Sequence, residues 1–214
     1  MRRLTSRQTF YLVQALLVAN VCACMYIGHA RRASWSEAEM RLVDSCSYGR
    51  MRLCAIDDRE DSLLLRRRSL PLSGSDVRSR TYRKLRARML ATVTDPDNPG
   101  VGIAAPQVGV GRRLVAVQRF DKPGEPFEFY VNPELVWLSE QKQTGSEGCL
   151  SVPDLRGEVE RSSRVVVEYR DERSFEVRRD TVEGFTAVIF QHETDHLDGV
   201  LYIDRARTLT PSGR

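Results

Sequence analysis

Histidine is scarce in this 214-residue chain: there are three, and two of them, His192 and His196, stand four positions apart. Residues 197–214, which follow the pair, contain neither histidine nor glutamate. That counts against the arrangement in which a metallopeptidase takes its third metal ligand from later in the chain. Cysteine is scarce too. Of five, Cys22, Cys24, Cys46 and Cys54 lie early, and Cys149 is the only one after residue 55. Cys46 and Cys54 could pair in an oxidising compartment, but two cysteines make no disulfide framework. Lysine is limited to Lys84, Lys122 and Lys142 among 33 basic residues. With a net charge of only +4, the arginines between Arg66 and Arg88 read first as a solvated helix face. Contact with ribosomal RNA is the alternative for them. No internal repeat or low-complexity tract is present, which leaves a globular reading.

The run Gln191-His192-Glu193-Thr194-Asp195-His196 is the most informative stretch. On a helix, residues four apart share a face, so two imidazoles can meet one metal ion. Glu193, between them, is placed to handle the proton of a metal-bound water. A catalytic site of this kind has three protein ligands and an open position, so the third must come from upstream. The best candidate is Cys149, in Glu147-Gly148-Cys149-Leu150-Ser151-Val152-Pro153. Alone, such a cysteine reads as a small buried hydrophobe; beside the two histidines it reads as a ligand.

Residues 100–109, Gly-Val-Gly-Ile-Ala-Ala-Pro-Gln-Val-Gly, form a third segment. They lack the third glycine of a dinucleotide loop and the Lys-Ser/Thr of a phosphate loop. Small residues there let a backbone approach a bound peptide, and Gln107 can donate to a carbonyl oxygen that becomes negative.

In this order the three segments resemble peptide deformylase, whose members carry Gly-x-Gly-x-Ala-Ala-x-Gln, Glu-Gly-Cys-Leu-Ser and Gln-His-Glu-x-Asp-His-Leu. Asn132-Pro133-Glu134 and Leu201-Tyr202-Ile203-Asp204 extend the likeness, which covers about residues 60–207. The resemblance implies a metal-dependent hydrolase that removes the formyl group from the N-terminal formyl-methionine of new polypeptides and releases formate. It implies Cys149, His192 and His196 as ligands and Glu193 as proton carrier, with Gln107 and the Leu150 backbone N–H stabilising the oxyanion. Glu147 and Asp195 match positions that orient the ligands, with Arg161 as a candidate partner of Asp195. A methionine pocket would be lined by Val101, Phe185, Val188 and Ile189. Val101, Gly102 and Gly148 would offer backbone groups to the peptide, and Arg156 would lie near its second residue. Thiolate with two imidazoles is compatible with Zn2+, Fe2+, Co2+ or Ni2+, and the resemblance implies Fe2+, with the others able to substitute. Two other readings of the chain are a metallopeptidase and a non-catalytic peptide-binding relative.

The expected architecture is α+β, with antiparallel strands packed around a central helix that carries the histidine motif. Apolar spacing predicts a helix over 77–94, ended by Asp95-Pro96, and a last helix over 182–197. Strands are expected at 114–117, 127–131 and 165–169, the first two joined as a hairpin by the turn at 121–126. The expected division is an N-terminal extension at 1–50, a catalytic domain at 51–210 and a short tail at 211–214. In the extension, Arg2, Arg3 and Arg7 precede an apolar stretch at 10–27, and no acidic residue occurs before Glu37. That pattern predicts export or membrane anchoring, and Cys24 stands at an imperfect lipoprotein-like site. An organelle presequence, or a mis-assigned start codon with a cytoplasmic enzyme, are the alternatives. The expected partners are N-formylmethionyl peptides, the ribosome near its exit tunnel, and a membrane through residues 10–27.

Overall fold

The computed structural model describes residues 34–45 and 49–212. The apolar stretch at 10–27, Cys24 and Cys46 lie outside them. No helix of the described residues is long and apolar enough to cross a membrane.

Among the described residues, four helices precede the first strand: α1 (Glu37–Asp44), α2 (Arg59–Leu65), α3 (Gly74–Val77) and α4 (Arg80–Val93). Each starts at a side-chain cap, Ser36, Asp58, Ser73 and Ser79 in turn, whose oxygen accepts from backbone N–H groups of the first turn. The cap at Ser79 explains why the helix expected over 77–94 begins at Arg80. Val77 belongs instead to the short α3, which carries its own capping box from Ser73 to Asp76.

Strands β1 (Gly102–Ala104), β2 (Leu114–Gln118), β3 (Phe127–Leu138), β6 (Arg164–Arg170) and β7 (Val177–Glu183) form a five-stranded antiparallel sheet in the order β1-β2-β3-β6-β7. The expected hairpin of β2 and β3 is present, with Leu114 opposite Val131 and Gln118 opposite Phe127. Alternate side chains divide between the two faces. Leu114, Ala116, Phe129 and Val131 pack with Tyr82, Leu85, Met89 and Val93 of α4. Val115, Val117 and Tyr130 pack on the other side with Ala187, Ile189 and Phe190 of α5 (Gly184–Leu197). The motif helix is thus central, as expected. It touches β5 (Val152–Ser162), in a second sheet, as well as the five-stranded sheet, and so spans both sheets. The second sheet holds β4 (Lys142–Cys149), β5 (Val152–Ser162) and β8 (Thr208–Pro211) in the order β4-β5-β8.

Three further boundaries differ from expectation for local reasons. The last helix begins at Gly184, not 182, because Val182 pairs with Val165 in β7. Gly184, at φ +61, makes the turn from strand to helix, a conformation that favours glycine. β3 continues to Leu138 through a bulge, with Asn132 at φ +50 and its amide exchanging two 2.8 Å hydrogen bonds with the Leu72 backbone. The compact unit begins at Trp35, inside the segment expected as an extension. Trp35 and Val43 join the core beside α4, and Glu39 pairs with buried Arg112 at 2.7 Å.

Candidate metal centre

β4 ends at Cys149, where Cys149 pairs with Val152 across a tight turn after a bulge at Glu147. The turn directs the Ser151 backbone N–H onto the Cys149 sulfur at 3.3 Å. Helix α5 brings His192, Glu193 and His196 to the same point, as the four-residue spacing requires. One ligand atom from each of Cys149, His192 and His196 lies within 4.8 Å of the others. Cys149 Sγ is 3.3 Å from His196 Nε2.

The imidazole of His192 is oriented from behind. Its Nδ1 meets Glu147 Oε2 at 2.8 Å, and the Tyr202 ring stacks on it at 6.0 Å between centroids. Glu147 also accepts from Arg161 Nε at 2.8 Å and Nη2 at 3.0 Å, and Arg161 Nη1 reaches Asp195 at 2.5 Å. The Arg161–Asp195 pair expected from the sequence is therefore present. Arg205 completes the chain with two bonds to Asp195, at 2.6 and 2.7 Å. Tyr202 enters the sequence reading only as part of the likeness at 201–204, without a role, and Arg205 does not enter it, because both lie past the motif in a segment of irregular spacing.

The electrostatics of the donor set fit a cation. Burial opposes charge on His192, yet hydrogen bonds to Cys149 and Glu147 raise its pKa well above the ordinary value. Burial, reinforced by repulsion from His192, pushes His196 well below the ordinary value, so it stays neutral, the form that binds metal. The cluster thus draws one positive charge into a buried place even without a metal, and a metal ion would take the place of that proton. One thiol sulfur and two imidazole nitrogens are a suitable donor set for a borderline-soft divalent ion.

Glu193 is buried, 4 % exposed, and its Oε2 has no hydrogen-bond partner among the described residues. Burial raises its pKa to about 7, in the range suited to a general base near neutral pH. Gly102 makes room for it: a Cβ there would sit 2.5 Å from Glu193 Oε1. Gln107 is buried, and its Oε1 accepts from the Ala104 N–H at 2.8 Å. That bond fixes the amide so that Nε2 faces Cys149 Sγ at 3.4 Å and leaves a donor directed into the site.

A cleft of about 620 Å³ opens in front of these groups. A family profile described as polypeptide deformylase matches residues 53–212. The chain belongs to that family. A peptide deformylase of Leptospira biflexa is 40% identical over 152 residues, which cover 68% of this chain and 83% of the relative. Among solved structures, the Met-Ala-Ser-bound class I type b peptide deformylase of Acinetobacter baumannii shares 36% identity at a TM-score of 0.64. The match covers 74% of this chain and 99% of that one. The peptide deformylase of Thermotoga maritima matches at 35% identity and a TM-score of 0.64, over 74% of this chain and 99% of its own. The chain is accordingly a metal-dependent hydrolase that removes the formyl group from N-terminal formyl-methionine.

The deformylase cleft gathers the other residues singled out from the sequence. Val101, Gly102, Gly148 and Leu150 line it beside the metal cluster. Phe185, Val188 and Ile189 line it from α5, but their exposures differ. Ile189 is 3 % exposed and shares the core, whereas Phe185 is 54 % exposed and leans on Phe120 at 5.2 Å, at the rim. Arg156 is exposed, bonds Ser146 at 3.1 Å and lies over Gly148, where a Cβ would come within 3.3 Å of its guanidinium.

Proposed function

We propose that Cys149, His192 and His196 hold one divalent ion, Fe2+ in the native protein, with Zn2+, Ni2+ or Co2+ able to replace it. The convergence of one sulfur and two imidazoles behind a buried carboxylate, one of whose oxygens has no partner among the described residues, is the observation that carries this reading. When bound, the ion supplies Lewis acidity, which brings the pKa of water toward neutrality. Glu193 accepts the proton of the attacking water and returns it to the nitrogen of the leaving amine, so formate and a free N-terminus result. The Gln107 Nε2 and the Leu150 backbone N–H donate to the carbonyl oxygen as it gains charge, each donor contributing on the order of 3 kcal/mol. Glu147, itself held by Arg161, fixes the His192 ring so that its other nitrogen faces the cluster.

The substrate is an N-formylmethionyl peptide. Its methionine side chain enters between Val101, Val188, Ile189 and the rim at Phe185. Its backbone meets Val101, Gly102 and Gly148, and Arg156 lies near its second residue. The peptide bound to the A. baumannii relative, Met-Ala-Ser, supports this class. The arginine-rich helix α4 supports ribosome contact near the exit tunnel, and the apolar run at 10–27 supports membrane association. The catalytic domain spans 51–210 together with the packed segment from Trp35.

The decisive measurement is formate release from formyl-Met-Ala-Ser, set against an acetylated and an internal peptide, after anaerobic purification with metal analysis. Formate release with one iron per chain is expected. Cleavage of internal bonds would point instead to a metallopeptidase, and a fully metallated protein that releases no formate would point to a binding protein.

A further inference from the structure

The wall of the cleft opposite α5 is β4, an edge strand whose only sheet neighbour among the described residues is β5. Its side chains alternate, and the face directed at α5 carries residues 143, 145 and 147. Glu147 on this face reaches His192. Gln143, four residues earlier, donates from Nε2 to the Gly184 carbonyl at the start of α5, at 2.9 Å. The two side chains tie β4 to the helix at points separated by the residue between them, and that residue is Gly145. A Cβ built at Gly145 would meet nothing within 4 Å. Across the sheet Gly145 pairs with Val159, which is 1 % exposed and also lines the cleft. Gly145, Phe185 and Val188 line the same cleft, and where any other residue at 145 would present a side chain there is open space.

We propose that Gly145 is a specificity-determining residue: its missing side chain broadens the pocket for the first residue of the substrate, while the Gln143 bridge to Gly184 closes that pocket's far end. This rests on the deformylase reading of the cleft. The pocket then admits a broad first side chain, phenylalanine being the test case, alongside the slender methionine. A hydrophobic pocket discriminates by roughly 10- to 200-fold per methylene gained or lost, so filling the space at residue 145 has a measurable effect. The glycine has ordinary backbone angles and open surroundings, so side chains at this position are compatible with the fold.

The experiment compares kcat/KM for formyl-Met-Ala-Ser and formyl-Phe-Ala-Ser in the full-length holoenzyme, in Gly145→Ala and in Gly145→Val, with melting temperature recorded for each. The wild type is expected to process the phenylalanyl peptide within about tenfold of the methionyl one. Gly145→Val is expected to lower the Phe-to-Met ratio by about tenfold or more, and Gly145→Ala by a smaller factor in the same direction. A ratio that stays the same in both variants overturns the proposal, as does a wild type that already excludes phenylalanine. The products Met-Ala-Ser and Phe-Ala-Ser, titrated calorimetrically, provide a readout without turnover. If the wild type hydrolyses neither formyl peptide, the deformylase reading fails. The pocket assignment is then judged by whether Gly145→Val weakens Phe-Ala-Ser more than Met-Ala-Ser.

Discussion

Glu147 and Glu193 are two carboxylates beside the same cluster of Cys149, His192 and His196, buried to nearly the same degree, 7 % and 4 % exposed, yet driven to opposite ionisation. Burial pushes both upward. At Glu147 that push is outweighed by hydrogen bonds from His192 and Arg161, which hold the carboxyl at about 2. At Glu193 no hydrogen bond among the described residues offsets it, and the carboxyl rises to about 7. Partners, not depth, decide the difference. The side of α5 that faces β4 and β5 is a saturated ion network whose work is to hold shape. The side that faces Gly102 and the cleft keeps an oxygen unpartnered, so it is free to move a proton.

The largest test of this contrast is Glu193→Gln, which keeps shape and removes the base. It is expected to lower kcat by about 10²–10⁴-fold while the metal stays bound, as read by steady-state kinetics beside metal analysis. The contrast breaks if Glu193→Gln loses the metal. With Glu193 as the proposed base, the ionised carboxylate is the active form, so the rate is expected to fall as pH is lowered. Burial alone puts that limb at about 7, and a divalent cation beside the carboxylate moves it to lower pH. For stability the sign is reversed. A raised folded pKa makes the ionised form costly, so Glu193 makes the metal-free fold less stable as pH rises from about 4.5 to about 7.

Glu147→Gln attacks the saturated side and is expected to act mainly on retention and stability. It removes the oxyanion between His192 and Arg161, and loss of such a group behind a ligand lowers metal affinity about 10- to 100-fold. It also leaves the buried Arg161 with Asp195 alone, at about 3 kcal/mol in the folded state. Because the folded pKa of Glu147 is depressed, its contribution is present above about 4.5 and fades as pH falls toward about 2. Chemical denaturation of wild type and variant should therefore converge across that window. A gap that persists unchanged at low pH would show that Glu147 acts by packing and not by charge.

The residues that meet at the candidate metal centre were legible in the sequence, and the frame that orients them was less so. His192, His196 and Glu193 follow from helical spacing, and Cys149 and Gln107 from being isolated residues of the right chemistry in small-residue surroundings. The hairpin of β2 and β3 follows from apolar runs about a turn. β5, by contrast, reads Val-Pro-Asp-Leu-Arg-Gly-Glu-Val-Glu-Arg-Ser, with charges on both faces. One of them, Arg161, is buried only because Glu147 and Asp195 meet it from other elements. β7 is an edge strand with mostly exposed residues, so no inward alternation marks it. Trp35 and Val43 sat in a stretch whose composition suggested an extension. Their burial depends on α4, a partner more than thirty-five residues away.

Arg205 tests where the saturated side ends. Its two bonds to Asp195 are short, but its side chain is 48 % exposed, so water screens the pair, and exposed pairs contribute about 0.2–1 kcal/mol. Asp195 also keeps Arg161 as a partner after Arg205 is lost. Arg205→Ala is therefore expected to shift the melting temperature by no more than about 2–4 °C. It is expected to change metal affinity, measured by chelator competition, by less than about threefold, well short of the loss expected for Glu147→Gln. A loss as large as that of Glu147→Gln would mean that the chain Arg205–Asp195–Arg161–Glu147–His192 acts as one unit from the surface to the ligand. The comparison would then lie between a network that reaches solvent and a single carboxylate that does not. A small effect fixes the boundary of the rigid side at Arg161, the last charge in the chain that is buried on every side.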